Sequence, residues 1–223
     1  MRRLFYVLFL VVSWLASMAA ARAAGGHFDV DDAAVLQPGR CQYEVWVTRT
    51  LVASTTLLHG GSACRVGPVE LGLSDDRVST ATDMHNLFGS QLKWAANTLD
   101  GKLGVGLVWI VGRDLTAGGR PAHTLFVPFT WAAAETLAFN VNLGADRDPD
   151  HVRTRRLGLS GEWIAHKQLT VVAERLTYGG AWTSRLGARW SVGGATSVDL
   201  SAARIGAAAT HGYSIGLNHE FAR

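Results

Sequence analysis

Cysteine is scarce in this sequence, excess charge disappears once the N-terminus is set aside, and no apolar run is long enough to cross a bilayer as a helix. The longest such run, Leu4 to Leu15, follows Arg2 and Arg3 and gives way to small residues that include Ala21-Arg22-Ala23. A spanning helix needs about 20 apolar residues, so this stretch reads as a secretory signal peptide over residues 1–23, cut after Ala23, and not as an anchor. Discounting Arg2, Arg3 and Arg22 lowers the 21 basic residues to 18, against 18 acidic ones. That balance excludes a basic protein built for nucleic acid. The two cysteines, Cys41 and Cys64, lie beyond the leader in a chain bound for an oxidising compartment, which implies one disulfide. Neither has a second ligand motif beside it, so no metal site and no cofactor is expected.

What the sequence does have is alternation. In "LAFNVNL" the residues Leu137, Phe139, Val141 and Leu143 oppose Ala138, Asn140 and Asn142; "LGVGLVWIV" and "LGLSGEWIA" repeat the pattern. Period two with one apolar face means β-strands, and glycines inside the runs argue against helices. Segments of this kind number about twelve, each of the length expected for a tilted membrane strand. The fold expected is an all-β, antiparallel up-and-down transmembrane barrel over residues 41–223, preceded by a flexible N-terminal segment over 24–40. Every second connection is short ("RVGP", "TLDG", "AAAE", "HK", "GGAT"), whereas "DDRVSTATDMHNLFG", "RDLTAGGRPA" and "GADRDPDHVRT" read as longer polar loops. Short turns at one end and long loops at the other are the asymmetry of an outer-membrane barrel. A first hairpin turning near Val52 would set Cys41 opposite Cys64 at its base.

Parity separates two faces. Val45, Leu71, Trp94, Trp109, Phe129, Trp131, Phe139, Trp163, Trp190, Tyr213 and Phe221 fall on the outward face, many near strand ends where aromatic girdles meet lipid headgroups. A soluble sandwich core would use the same residues, and alternation alone does not separate the two. The lumen-lining set is Glu44, Glu70, Lys93, Asn140, Asn142, Glu162, Glu174, Arg185, Arg189, Asp199, Asn218 and Glu220. Confined in a narrow lumen, opposite charges should pair, with Glu162 and Glu174 facing Arg185 and Arg189. The last strand resembles the assembly signal of outer-membrane barrels, with Ser214, Gly216, His219 and Phe221 in its places; a histidine stands where an apolar residue is usual, and Ala222-Arg223 follow the aromatic.

The segments "DDAAVLQPGRCQYEVWV", "CRVGPVELGL", "LAFNVNLGADRD" and "VVAERLTYGGAWTSRLGARW" resemble uncharacterised proteobacterial outer-membrane β-barrels similar to the transporter-like family associated with meta-pathway phenol degradation. The resemblance implies an outer-membrane location and passage of small hydrophobic compounds. An enzyme is not expected: His211 and His219 share the outward face while Ser214 and Glu220 point inward, so no nucleophile meets a base. His27, Asp29, Asp31 and Asp32, and the run Asp146 to His151, read as hydrated chain instead of cation sites. The function expected is a narrow channel or transporter-like barrel for small solutes, with a closed-lumen structural barrel as the alternative. Its expected partners are outer-membrane lipid and the barrel-assembly machinery.

Overall fold

Twelve strands close on themselves. In chain order they are β1 Arg40–Thr50, β2 Thr56–Val66, β3 Val69–Ser79, β4 Met84–Asn97, β5 Leu103–Asp114, β6 Ala122–Ala134, β7 Leu137–Arg147, β8 Arg153–His166, β9 Leu169–Tyr178, β10 Ala181–Gly193, β11 Thr196–Ile205 and β12 Thr210–Ala222. Each pairs antiparallel with its sequence neighbours, and β1 pairs with β12 from Arg40↔Ala222 to Thr50↔Gly212, so the barrel has no free edge. The computed structural model describes residues 26–51, 54–98, 101–178, 180–206 and 210–223. The expected signal peptide, residues 1–23, lies outside them.

The two faces follow parity. All eleven side chains placed on the outward face are exposed, from Phe139 at 36% to Trp190 at 56%. A chain that leaves so many large apolar groups uncovered while burying Glu70, Lys93, Glu174 and Asp199 is turned inside out relative to a water-soluble sandwich. Tyr43, Trp131, Phe139, Trp163 and Phe221 gather towards the end with short turns, and the Trp131 and Phe139 rings lie 5.8 Å apart. The burial pattern predicts that Leu107→Arg or Val141→Arg costs about 2–4 kcal/mol where the side chain meets the bilayer midplane. Equal refolding of wild type and variants in lipid vesicles would contradict the lipid-facing assignment. Asn140 is no neutral control for this test, because it is fully enclosed, donating to Ser160 and Glu162 and accepting from Thr130.

The first hairpin has the expected register. Cys41 pairs with Cys64, and the two form a disulfide at the base of β1 and β2.

Two expectations change. Two of the three polar stretches read as long loops are mostly strand: β3 runs on to Ser79 and β4 starts at Met84, leaving four residues between them, and β7 and β8 leave only residues 148–152, whereas β5 and β6 do leave a loop over residues 115–121. Beyond the apolar band both faces of a strand meet water, so pairing continues where the apolar–polar alternation stops. The larger correction concerns residues 26–39, expected as a flexible solvated leader. They run inside the barrel, with Val30, Ala33, Leu36, His27 and Asp32 all buried.

Candidate functional site

The lumen site is a wall of strand side chains around this internal segment, hereafter the plug. The plug visits the strands nearly in order. Leu36 donates its N–H to Glu70 on β3, at 2.9 Å, and its carbonyl accepts from Arg65 on β2. Asp31 and Asp32 take the Lys93 ammonium of β4 between them, at 2.7 and 3.2 Å. Ala33 donates to Thr130 on β6, at 2.7 Å. Asp31 and Asn142 of β7 exchange two bonds, N–H to Oδ1 at 2.8 Å and Nδ2 to carbonyl at 2.7 Å. Asp29 and Val30 donate to Glu174 on β9, Arg185 of β10 donates to the His27 carbonyl and pairs with Asp29 at 2.8 Å, and Gly26 reaches Glu44 on β1 at 2.6 Å.

These contacts go mainly to plug backbone. An irregular segment inside a barrel has no ladder partner, so its amides must be met by wall side chains or left unpaired at a cost of about 1–3 kcal/mol each. Carboxylates at Glu44, Glu70 and Glu174 and the amide at Asn142 do that work, which explains why acids and amides alternate with apolar residues along these strands. Glycines give the plug its seats. A Cβ on Gly104 would lie 3.0 Å from the Ala33 methyl, and one on Gly158 would lie 3.0 Å from Val30.

The twelve lumen-lining residues singled out from the sequence all lie on the inner side, in three groups. Glu44, Glu70, Lys93, Asn142, Glu174 and Arg185 touch the plug directly. Asn140 and Glu162 bond to each other within the wall, at 2.6 Å. Arg189 grips Asp199 with a fork of two 2.8 Å bonds, Asn218 adds a third donor to Asp199, and Glu220 lies 3.8 Å from Arg40 at the rim. Of the expected pairs, Arg185 meets Glu174 at 3.0 Å, while the Arg189 fork is centred on Asp199. The His27 imidazole, on the plug, is buried 4.0 Å from the Asp199 carboxylate.

Four inner features had no place in the sequence reading. Trp46 stacks on His59 with centroids 3.4 Å apart, and His59 sits between Asp76 and Glu44, at 2.5 and 3.6 Å. Arg156 pairs with Asp146 at 3.4 Å, and Phe126 is buried beneath the Arg156 guanidinium. Inward parity of Trp46 and His59 was available as a signal, since Trp46 shares the face of Glu44 and His59 pairs with it across β1 and β2.

Residues of the assembly signal fall on both faces. Ser214 is buried inside against Thr48, 2.7 Å away, and Gly216 faces His27. His219 and Phe221 face out beside Tyr43, and the Thr196 hydroxyl satisfies the His219 ring at 2.8 Å.

The plug leaves space. A cavity of about 690 Å³ remains between it and the wall, and its lining extends along β1 from Gln42 to Thr50, with Glu70 and Gln91 towards one end and Thr55 and Ile205 towards the other.

A closed barrel with a lipid-facing exterior and a charged, partly filled lumen defines a twelve-stranded transmembrane β-barrel. The chain belongs to the family described as Uncharacterised conserved protein UCP029691, whose model matches residues 11–218. No curated protein matches it. Among solved structures it is similar to the KdgM porin (TM-score 0.65, 8% identity, 81% of this chain and 99% of that chain). It is also similar to the KdgM porin in complex with disordered oligogalacturonate (0.61, 9%, 82% and 99%) and to the NanC porin (0.61, 11%, 79% and 98%). At these identities the likeness is one of fold.

Proposed function

We propose that the protein is a narrow outer-membrane channel for small hydrophilic solutes, with the passage running along the β1–β4 wall beside the plug. The observation that carries this reading is the remaining cavity, whose lining follows β1 for most of its length. Polar and charged side chains, Gln42, Glu44, Ser74, Asp76 and Gln91 among them, line its β1, β3 and β4 walls beside Leu73 and Val78. Such a surface suits hydrated solutes better than the hydrophobic compounds implied by the resemblance to phenol-degradation barrels, and the family description carries no such link.

Charge sets the preference. Asp29, Asp31, Glu44, Glu70 and Asp76 border the cavity against Lys93, Arg156 and Arg185, each already facing a carboxylate, and against the single His59 ring, which sits between Asp76 and Glu44. Negative charge left over in a low-dielectric passage concentrates cations. Planar bilayers should therefore show a small, steady conductance whose reversal potential in a salt gradient is shifted towards that of the cation. An anion-selective conductance would refute the charge assignment. Complete silence would favour a closed barrel, the second reading, which the ring of plug bonds supports.

A further inference from the structure

Every side chain discussed so far as a charge partner points into the barrel. On the exterior of β9, β10, β11, β12 and β1, at the end opposite the short turns, the charged side chains are all arginines. Arg49 of β1, Arg175 of β9 and Arg204 of β11 are exposed and alternate with inward residues: half-buried Thr48 and Thr50 flank Arg49, buried Glu174 and Leu176 flank Arg175, and buried Ala203 precedes Arg204. Among the described residues none of the three has a carboxylate within salt-bridge distance. Arg49 reaches only the Thr56 hydroxyl, at 3.4 Å, and Arg175 lies over the Trp182 ring, 4.9 Å from its centroid. Arg175 and Arg204 both pair in register with Ser184 of β10, which places them two strand spacings apart, about 10 Å.

Directly below these arginines, towards the membrane middle, the outer wall is hollowed. A groove of about 760 Å³ crosses β1, β12, β11 and β10; small side chains at Ala188 and Ala202 form its floor, Leu186, Leu200 and Ile215 its apolar sides, and Arg49 stands on its border. Ala202 is the next outward residue after Arg204 along β11. The sequence has only three lysines, Lys93 inside the lumen and Lys102 and Lys167 at the short-turn end, so the cations over the groove are all guanidinium.

We propose that this exterior groove binds a phosphorylated membrane lipid, an acyl chain lying over Ala188 and Ala202 and its headgroup phosphates held at two places, one between Arg175 and Arg204 and the other at Arg49. An acyl chain seated in the hollow touches wall atoms on more than one side, and so gains more dispersion contact than one lying on a flat stretch of barrel. Guanidinium matches phosphate oxygens with two parallel bonds, which a point-charge ammonium does not, and arginines at the boundary keep their stems on the apolar band while the charged head reaches the headgroup layer. A phosphate supplies the counter-charge that the protein does not provide there. The site is independent of the channel reading, since none of its side chains faces the lumen.

The test is native mass spectrometry of the folded barrel in detergent, titrated with diphosphorylated lipid A and with the same lipid after phosphate removal. Folding of each variant is first verified by heat-modifiable gel migration. Wild type should retain the phosphorylated lipid at least tenfold more tightly than the dephosphorylated one. R49Q/R175Q/R204Q should lose that preference, and Ala202→Trp, which fills the groove and leaves every arginine in place, should weaken retention of both lipids. Equal affinity of wild type for the two lipids would overturn headgroup recognition. Undiminished binding by Ala202→Trp would overturn the groove as its seat.

Discussion

Deleting residues 26–36 should raise single-channel conductance several-fold while leaving a folded barrel. Closure depends on the β1–β12 ladder, which begins at Arg40 and does not include the plug. The wall groups that lose partners, Glu70, Lys93, Asn142, Glu174 and Arg185, would face water instead of a dry interior, so the full penalty of an unpaired buried charge does not arise. A subtler variant, Lys93→Met, takes away the cation between Asp31 and Asp32 and leaves those acids beside Glu70; plug displacement then relieves like-charge repulsion, and the current should show bursts of larger openings. The measurement for both is planar-bilayer recording beside wild type. Unchanged conductance in the deletion would mean that the plug does not limit the passage.

Arg189→Met should destabilise the barrel by about 3–5 kcal/mol, the cost of stranding a buried acid whose partner is removed. Asp199 is wholly buried and receives the guanidinium fork, with Asn218 as a neutral third donor. The Phe28 ring lies 5.7 Å from the same guanidinium, so the loss also loosens the plug's far end. Asp199→Asn introduced with Arg189→Met should recover much of the deficit, because the charge that needed compensation is gone. Urea unfolding in detergent, read by tryptophan fluorescence, gives the comparison; a double variant no more stable than the single one would locate the cost in packing and not in charge.

The barrel could be read from the chain because its two solvents impose opposite chemistry on alternate residues. Asn140, Asn142 and Glu174 stand out on otherwise apolar strands, and the first hairpin's register sets Cys41 against Cys64 from the chain alone. The polar strand ends near Asp75 and Arg147 could not be read so, because backbone pairing there has no hydrophobic signature. The plug was missed for a different reason. Its binding energy resides in backbone amides, which every residue carries, so the sequence of residues 26–36 displays only spaced small apolar groups, Val30, Ala33 and Leu36, between acids. Their complement is spread over at least ten strands as single acids, amides, cations, a hydroxyl and glycines. Only the barrel's closure brings that complement to one circumference.

The plug passes into β1 through Gln37, Pro38 and Gly39, where the Arg40 amide donates back to the Gln37 carbonyl, 3.0 Å away. A displaced plug is thus tethered at the rim by a few residues and cannot diffuse away. Short tethers hold a ligand at millimolar effective concentration. Recapture is then unimolecular and independent of protein dilution, so the dwell times of open events report the dissociation kinetics of an intramolecular ligand. A free peptide copying residues 26–36 would compete with it only when supplied at comparable, millimolar levels.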